Sequence, residues 1–291
     1  MEGLTPGRLT KDGIKLYEPA DFAGMHAAGK LAAEVLDMIA EHVVPGVSTG
    51  ELDHRIQAHV EDAGAKSATI GYRGYQHASC ISVNHVVCHG IPGDKKLKDG
   101  DILNIDVTVI VDGWFGDTSR MYVAGKLNRK TERLIQVTHD SLMLGIEAVK
   151  PGNTFGDIGA AIQTFVESHR MSVVRDFCGH GLGQVFHAPP NVLHYGRPNT
   201  GSILEEGMFF TIEPMVNLGL AETKVLADDW TAVTRDKSLS AQFEHSVGVT
   251  ANGVYSAVVP CSVAGAVYMI NKGTATFKVT DITIKSYPNG Q

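Results

Sequence analysis

The chain has 291 residues, 43% of them hydrophobic, and its 25 Lys and Arg against 32 Asp and Glu give a formal net charge of −7. This composition supports a sizeable core in one large domain or two small ones, and it argues against a general nucleic-acid surface. The four cysteines include no CxxC pair and are too few for a disulfide scaffold in a chain of this size. No apolar tract is long enough to span a bilayer, which excludes a membrane protein. The sequence has no secretory signal, and this favours the cytoplasm.

The first part of the chain carries signals for two helices. Residues Asp21–Val44 place apolar side chains at a four-residue spacing, which predicts an amphipathic helix that ends at Pro45. Ser48 and Glu51 form a capping-box pattern that begins a second helix, which ends near Gly64.

A strand and a hairpin follow, with a third helix after them. Cys80–Val87 alternates loosely like one strand, and Glu132–Val149 has helical spacing. Between them, an apolar run broken by Asp112-Gly113 predicts two antiparallel strands joined by a two-residue turn.

The register of this hairpin determines where its aspartates point. With the turn at Asp112-Gly113, Asp117 faces Thr108 and lies on the same face as Asp106, with the two aspartates roughly 7–8 Å apart at Cα. Two carboxylates among apolar residues repel each other and lose hydration, so either solvent reaches them or a cation lies between them. A pair of divalent metal ions and a solvated hairpin end are the two interpretations that the hairpin alone leaves open.

The sequence also contains an internal repeat. Pro45–Ile56 matches Pro151–Ile162 at a constant offset, and Leu97–Asp106 matches Leu204–Glu213 at nearly the same offset. Two segments repeated in the same order indicate a duplicated helix–helix–strand unit. Asp106 and Glu213 are then counterparts, and they are expected to converge between the two halves.

Further candidate ligands lie in the second half. His180 lies between glycines, and Glu213 and Glu244 interrupt apolar, strand-like sequence. Singly, the histidine could be a core or turn residue and the glutamates could pair with Lys or Arg. Together with the two hairpin aspartates they form a ligand set suited to Mn, Fe, Co or Zn. Cys80 and Cys88 could belong to a zinc site, but a pocket or packing role is better supported.

Four short motifs accompany these candidates: Asn84–Pro92 (NHVVCHGIP), Gly179–Gly183 (GHGLG), Thr211–Pro214 (TIEP) and Glu244–Ser246 (EHS). From about residue 15 to 250, their order and spacing resemble the type I methionine aminopeptidases. The resemblance implies the α+β "pita-bread" fold, with pseudo-two-fold halves at about 20–125 and 130–250, an inner antiparallel sheet and outer helices, in a metallopeptidase domain spanning 1–253. It also implies removal of the initiator methionine from nascent polypeptides by dinuclear-metal hydrolysis of the first peptide bond.

The resemblance assigns roles to individual residues. Two divalent ions (Co, Mn, Fe or Zn) would be held by Asp106, Asp117, His180, Glu213 and Glu244, with Asp117 and Glu244 bridging. Glu213 would also act as general base. His89 and His187 would hydrogen-bond the scissile amide and the oxyanion. The methionine side chain would contact Tyr72, Tyr75, Cys80, Phe186 and Trp230.

The expected partners are nascent peptides that begin with Met followed by a small residue, with the ribosome as a further candidate; we expect a monomer and no nucleic-acid or membrane partner. Two alternatives remain at this point. One is a proline-directed peptidase or creatinase-like hydrolase, whose relatives carry a large N-terminal domain that this sequence lacks. The other is a non-catalytic peptide-binding protein on the same fold. Residues 254–291 are β-rich and unassigned.

Overall fold

The three helices predicted from the sequence are present, although the first ends at Ile39 rather than near Val44 and continues as the 3-10 turn Ala40–His42, and a fourth lies in the second copy of the repeat. In the computed structural model, which describes residues 8–257, they are α1 (Phe22–Ile39), α2 (Thr49–Asp62), α3 (Arg129–Glu147) and α4 (Phe155–Ser168). The third helix begins three residues earlier than predicted, because the Asn128 side chain accepts hydrogen bonds from the backbone N–H groups of Lys130 and Thr131. In this part of the chain no helix is long and apolar enough to cross a membrane.

Short and long strands make up the rest of the described chain. They are β1 (Arg8–Leu9), β2 (Lys15–Leu16), β3 (Lys66–Ser67), β4 (Cys80–Val83), β5 (Val86–Cys88), β6 (Asp101–Val111), β7 (Trp114–Ala124), β8 (Ser172–Val173), β9 (Gly179–Gly181), β10 (Ala188–Val192), β11 (Phe209–Ile212), β12 (Met215–Asn217), β13 (Thr223–Val225), β14 (Ala232–Thr234), β15 (Ser240–Gln242), β16 (Glu244–Thr250) and β17 (Gly253–Ser256). The largest sheet has nine strands in the order β10-β9-β11-β16-β7-β6-β3, with β17 paired to β16 and β4 paired to β6. All of these pairs are antiparallel.

The predicted hairpin and its register are confirmed. Val111 pairs with Trp114 across the turn, and Asp117 lies opposite Thr108 in β6. The two turn residues have φ values of 48° and 83°, the left-handed conformation that favours Asp-Gly at this position. Since the ladder continues without a bulge to the ends of both strands, Asp106 and Asp117 share one face.

The prediction of one strand over Cys80–Val87 is wrong. Asn84 has a φ of 59° and ends β4, so that β4 pairs with β6 while β5 pairs with β14. The Asn84 side chain stabilises this break, because its amide donates to Asp101 at 2.8 Å and its carbonyl oxygen accepts the N–H of Ile102 at 3.1 Å. An asparagine tolerates this backbone conformation better than most residues.

The repeat in the sequence corresponds to repeated structure. Ser48 and Glu51 cap α2 in a reciprocal capping box, and Thr154 and Asp157 cap α4 in the same way. The β6–β7 hairpin and helices α1 and α2 surround one apolar core, and α3, α4 and β11 surround another. The expected α+β arrangement, with helices packed outside an antiparallel sheet, is confirmed.

The two faces of the β6–β7 hairpin have different surroundings. Ile105 and Val107 are buried in the core with α1, and Arg120 in β7 forms an ion pair with Asp37 of α1 at 2.6 Å. Because side chains alternate along a strand, Asp106 and the residues in phase with it point to the opposite face. That face of the sheet lines a cavity.

Strand β17 crosses the predicted boundary at residue 253. It pairs with β16 from Val247↔Ser256 to Thr250↔Gly253, and Ala257 belongs to a small apolar cluster that also contains Tyr17 and Met25. Residues 258–291 of the predicted tail lie outside the described residues. The domain bounds and the role of the tail stay predictions.

Candidate metal centre

A single cavity of about 600 Å³ brings the predicted site residues together. Its lining includes every one of them: Tyr72, Tyr75, Cys80, His89, Asp106, Asp117, His180, Phe186, His187, Glu213, Trp230 and Glu244. These residues come from both halves of the chain, so the cavity lies where the duplicated units meet.

The β6–β7 hairpin supplies two carboxylates to this cavity. Asp117 is almost completely buried, and its Oδ1 accepts a hydrogen bond from the Thr108 hydroxyl at 2.8 Å. Ser246 fixes the backbone of the same aspartate, because its hydroxyl accepts from the Asp117 N–H and donates to the Asp117 carbonyl. The other oxygen, Oδ2, remains directed at the imidazole of His180, 3.5 Å away.

A threonine ties His180 to Glu213. The Thr211 hydroxyl donates to Glu213 Oε1 at 2.8 Å and accepts the backbone N–H of His180 at 3.0 Å. The Nδ1 of His180 lies 3.1 Å from the Gly181 carbonyl oxygen, so an Nδ1–H donates there and Nε2 faces the carboxylates. Glu213 Oε1 is 3.9 Å from that Nε2.

The second glutamate completes a close cluster. Glu244 begins β16, is 2% exposed, and pairs with Ser119 of β7. One ligand atom from each of Asp117, His180 and Glu244 lies within 4.8 Å of the others. This spacing allows one ion to contact all three side chains.

The acidic groups of the cavity have shifted pKa values. Loss of hydration, reinforced by the negative charge of Asp117, raises the pKa of Asp106 and of Glu244 well above the usual range. Burial likewise raises the pKa of Glu213 to about 7. For His180, burial alone would lower the pKa, but the hydrogen bond to Asp117 and the charge of Glu213 raise it to about 9.

The donor set fits divalent metal ions. Within residues 8–257, no Lys or Arg forms an ion pair with any of the four carboxylates. Four carboxylates and one imidazole without a thiolate match the ligand preferences of Mn, Fe, Co and Zn. Bound cations would offset the repulsion that raises the pKa values, so the sequence prediction of a metal site is supported by the chemistry of the cavity.

Two further histidines lie at the cavity without belonging to the close cluster. The His187 ring stacks on Tyr72 at 5.2 Å and lies 4.0 Å from the His180 ring. Burial, together with the positive charge of His180, lowers the pKa of His187 to about 4, and burial lowers the pKa of His89. Both imidazoles are therefore neutral at physiological pH, and each can donate one hydrogen bond.

Aromatic and sulfur-containing side chains form the apolar wall. Tyr75 packs on Trp230 at 4.9 Å, and its hydroxyl donates to the Ser79 carbonyl at 2.9 Å. Burial raises the pKa values of Cys80 and Cys88, so both are neutral thiols at physiological pH. Both cysteines line the cavity, where a neutral thiol packs as a small apolar group, and this fits a pocket role.

Sequence reasoning missed the residues that position the ligands. Thr108 was identifiable from the hairpin register, and Thr211 from its place two residues before Glu213. Gln242 donates to Glu213 Oε2 at 3.3 Å, and the fully buried His194 accepts the Glu213 backbone N–H at 3.0 Å. No local pattern marks these last two residues, since their contacts depend on tertiary structure.

Comparison with known proteins identifies relatives over most of the chain. The sequence model of metallopeptidase family M24 matches residues 23–251. A methionine aminopeptidase of Rickettsia prowazekii is 57% identical over 241 residues, which are 82% of this chain and 93% of that protein. One from Escherichia coli K12 is 55% identical over 242 residues, covering 82% of this chain and 92% of the relative.

Solved structures show the same similarity. The crystal structure of the Rickettsia prowazekii methionine aminopeptidase superposes with a TM-score of 0.84 at 55% identity, over 84% of this chain and all of the other. The structure of the Thermotoga maritima methionine aminopeptidase superposes with a TM-score of 0.82 at 37% identity, over 84% of this chain and 99% of the other. The structure of a Pyrococcus horikoshii prolidase superposes with a TM-score of 0.68 at 20% identity, over 84% of this chain and 63% of the prolidase. At this identity the similarity shows the fold alone.

Proposed function

Because the chain belongs to metallopeptidase family M24, we propose that it is a methionine aminopeptidase that removes the N-terminal methionine of polypeptides by metal-dependent hydrolysis of the first peptide bond. The "pita-bread" fold expected from the sequence agrees with the structures that superpose on it. The observation that carries the proposal is the close group of Asp117, His180 and Glu244 in the cavity, whose carboxylates form no ion pair with any Lys or Arg among residues 8–257.

Five side chains would hold the metal: Asp106, Asp117, His180, Glu213 and Glu244. When bound, two divalent ions would polarise the scissile carbonyl and acidify a water molecule for attack. Thr108 fixes one carboxylate oxygen of Asp117 and Ser246 fixes its backbone, so Asp117 would hold the ions from a set position. Glu244, which has a ligand atom within 4.8 Å of those of Asp117 and His180, would hold them with it.

Glu213 is proposed to act as general base. Its carboxylate lines the cavity, and its Oε1 lies 3.9 Å from Nε2 of His180, beside the place where the ions would bind. Thr211 donates to its Oε1 and Gln242 to its Oε2, so the plane of the carboxylate is fixed. The residue can thereby take a proton from the attacking water and transfer it to the leaving amine.

His89 and His187 are proposed to bind the reacting amide. Their lowered pKa values keep them neutral, so each donates through one N–H without adding positive charge beside the bound cations. One donor on the scissile amide and one on the developing oxyanion would stabilise the tetrahedral intermediate more than the substrate. The stacking of Tyr72 on His187 holds that ring at the cavity.

The apolar wall is proposed to select methionine. The wall consists of aromatic and sulfur groups, which suit a polarisable thioether; they belong to Tyr75, Trp230, Phe186 and Cys80. Tyr72 completes this wall through its contact with Phe186 at 4.8 Å. We further propose a monomer in the cytoplasm that acts on nascent chains with a small second residue, with the ribosome as a partner.

A panel of peptides tests this proposal against the related activity. The chelated protein, supplied with Mn, Fe, Co or Zn, should release methionine from Met-Ala-Ser and leave Xaa-Pro peptides intact. Cleavage confined to Xaa-Pro peptides would indicate a proline-directed peptidase instead. Tight binding of Met-Ala-Ser without cleavage under any metal would indicate a peptide-binding protein.

A further inference from the structure

Arg73 is the one Lys or Arg residue in the lining of the cavity, within the part of the chain that the structure describes. It lies in the tight turn Tyr72–Gly74 with a φ of 48°, between Gly71 and Gly74, whose φ values are 83° and 87°. The left-handed conformation is unfavourable for an arginine. The turn nevertheless places this residue, which is exposed, at the edge of the cavity.

The guanidinium group is held in position and has no anionic partner among residues 8–257. Its Cζ lies 5.3 Å from the centre of the Tyr72 ring, a cation–π contact that restricts the side chain. No carboxylate in that range forms an ion pair with it. Arg73 thus presents a positive charge beside the Tyr72 ring that no carboxylate among residues 8–257 pairs with.

A series of ring contacts relates Arg73 to the proposed reaction centre. The Tyr72 ring lies 5.2 Å from the His187 ring, which lies 4.0 Å from the His180 ring. His180 has a side chain 12% exposed, whereas His187 and Arg73 are exposed, so the series runs from the interior of the cavity to its opening. An extended peptide advances about 3.3 Å per residue. The contacts Arg73–Tyr72, Tyr72–His187 and His187–His180, at 5.3, 5.2 and 4.0 Å, put Arg73 within about five such steps of His180. A substrate that leaves through the opening of the cavity would then reach Arg73 with its third to fifth residues.

We propose that Arg73 recognises charge in this downstream part of the substrate, favouring Asp or Glu at positions three to five and disfavouring Lys or Arg. This inference rests on the proposed aminopeptidase function and adds a preference beyond the first two residues. The guanidinium group can bind a carboxylate with two hydrogen bonds, and the stacked Tyr72 ring orients it for that contact. Because the site is open to solvent, the preference is modest and weakens in salt.

The test compares amidated peptides that differ only downstream: Met-Ala-Ser-Asp-Asp, Met-Ala-Ser-Ser-Ser and Met-Ala-Ser-Lys-Lys. For the metal-loaded protein, kcat/KM should be about two- to five-fold higher for the acidic than for the neutral peptide, and lowest for the basic one. The difference should appear in KM, since the contact is the same in the bound substrate and in the transition state. It should shrink as the salt concentration rises.

Two substitutions and one control separate the charge effect from a change in stability. Arg73→Gln should bring the acidic-to-basic ratio close to one, and Arg73→Glu should invert it. Arg170→Gln is the matched control, because Arg170 is also exposed, also has a positive φ of 60°, and does not line the cavity. Its ratio should equal that of the unmodified protein.

The outcomes are distinguishable. Equal rates on all three peptides, or an acidic preference that survives Arg73→Gln, would overturn the role of Arg73 and leave the aminopeptidase function standing. A complete lack of methionine release from every peptide would overturn both. If the acidic-to-basic ratio of kcat/KM falls as far in Arg170→Gln as in Arg73→Gln, the preference comes from the overall charge of the protein. That result would likewise overturn the proposal.

Discussion

The substitution Glu213→Gln should stabilise the chelated protein while abolishing methionine release. Burial raises the pKa of this carboxyl from 4.5 to about 7, so between these two values the folded protein binds a proton that the unfolded chain has released. The stability that this group contributes is fully present below pH 4.5 and is lost as the pH rises through about 7. At 1.36 kcal/mol per pKa unit, the loss at pH 8 is about 3 kcal/mol.

A glutamine cannot ionise and therefore avoids this loss. Its carbonyl oxygen can accept the same hydrogen bond from Thr211. If its side-chain amide rotates, Gln242 can accept from the new amide through its buried Oε1, which has no hydrogen-bond partner among residues 8–257. The substitution also removes a negative charge that stabilises the protonated His180. The gain in the free energy of unfolding at pH 8 is therefore at most about 3 kcal/mol.

The assay is urea unfolding in chelator at pH 5 and pH 8. The variant should exceed the unmodified protein by up to about 3 kcal/mol at pH 8 and by less than about 1 kcal/mol at pH 5. Glu206→Gln, at an exposed position, removes the same charge and should change stability by no more than about 0.5 kcal/mol. A gain that is absent at pH 8, or equally large at both pH values, would refute the reasoning.

Three further predictions concern the scaffold. Gly116→Ala should lower the free energy of unfolding, measured in urea, by about 1–3 kcal/mol, because a Cβ there overlaps the backbone of α1. Gly93→Ala is the control: a Cβ at Gly93 meets no atom within 4 Å, so this variant should keep the free energy of unfolding of the unmodified protein. Ser48→Ala and Thr154→Ala should each cost about 1 kcal/mol, and their effects should add in the double variant, since they cap helices in separate cores; strong non-additivity would contradict this. Truncation after Asn252 removes β17 and should lower the melting temperature while the chain still releases methionine; a folded but inactive truncated chain would disprove this.

The hairpin shows how far sequence reasoning extends in this protein. A two-residue Asp-Gly turn allows one pairing, so the register that puts Asp106 and Asp117 on one face followed from local chemistry. The repeat then supplied Glu213 as a counterpart of Asp106. Elements with strong local signals were predicted well for this reason.

Contacts between distant segments were not predictable in the same way. The end of β4 at Asn84 depends on hydrogen bonds from this side chain to β6, and no sequence pattern within Cys80–Val87 indicates it. The contact of His194 with the Glu213 backbone and that of Gln242 with its carboxylate likewise depend on tertiary packing. Such supporting residues have no fixed spacing from the ligands that they position.

Methionine release from Met-Ala-Ser by chelated and reconstituted protein tests the central claim most directly. Activity should disappear on chelation and return with Mn, Fe, Co or Zn in the unmodified protein. It should not return in Asp106→Asn or Glu244→Ala, each of which should also bind less metal per chain. Release that survives thorough chelation, or that persists in both variants, would contradict a metal centre built from these side chains.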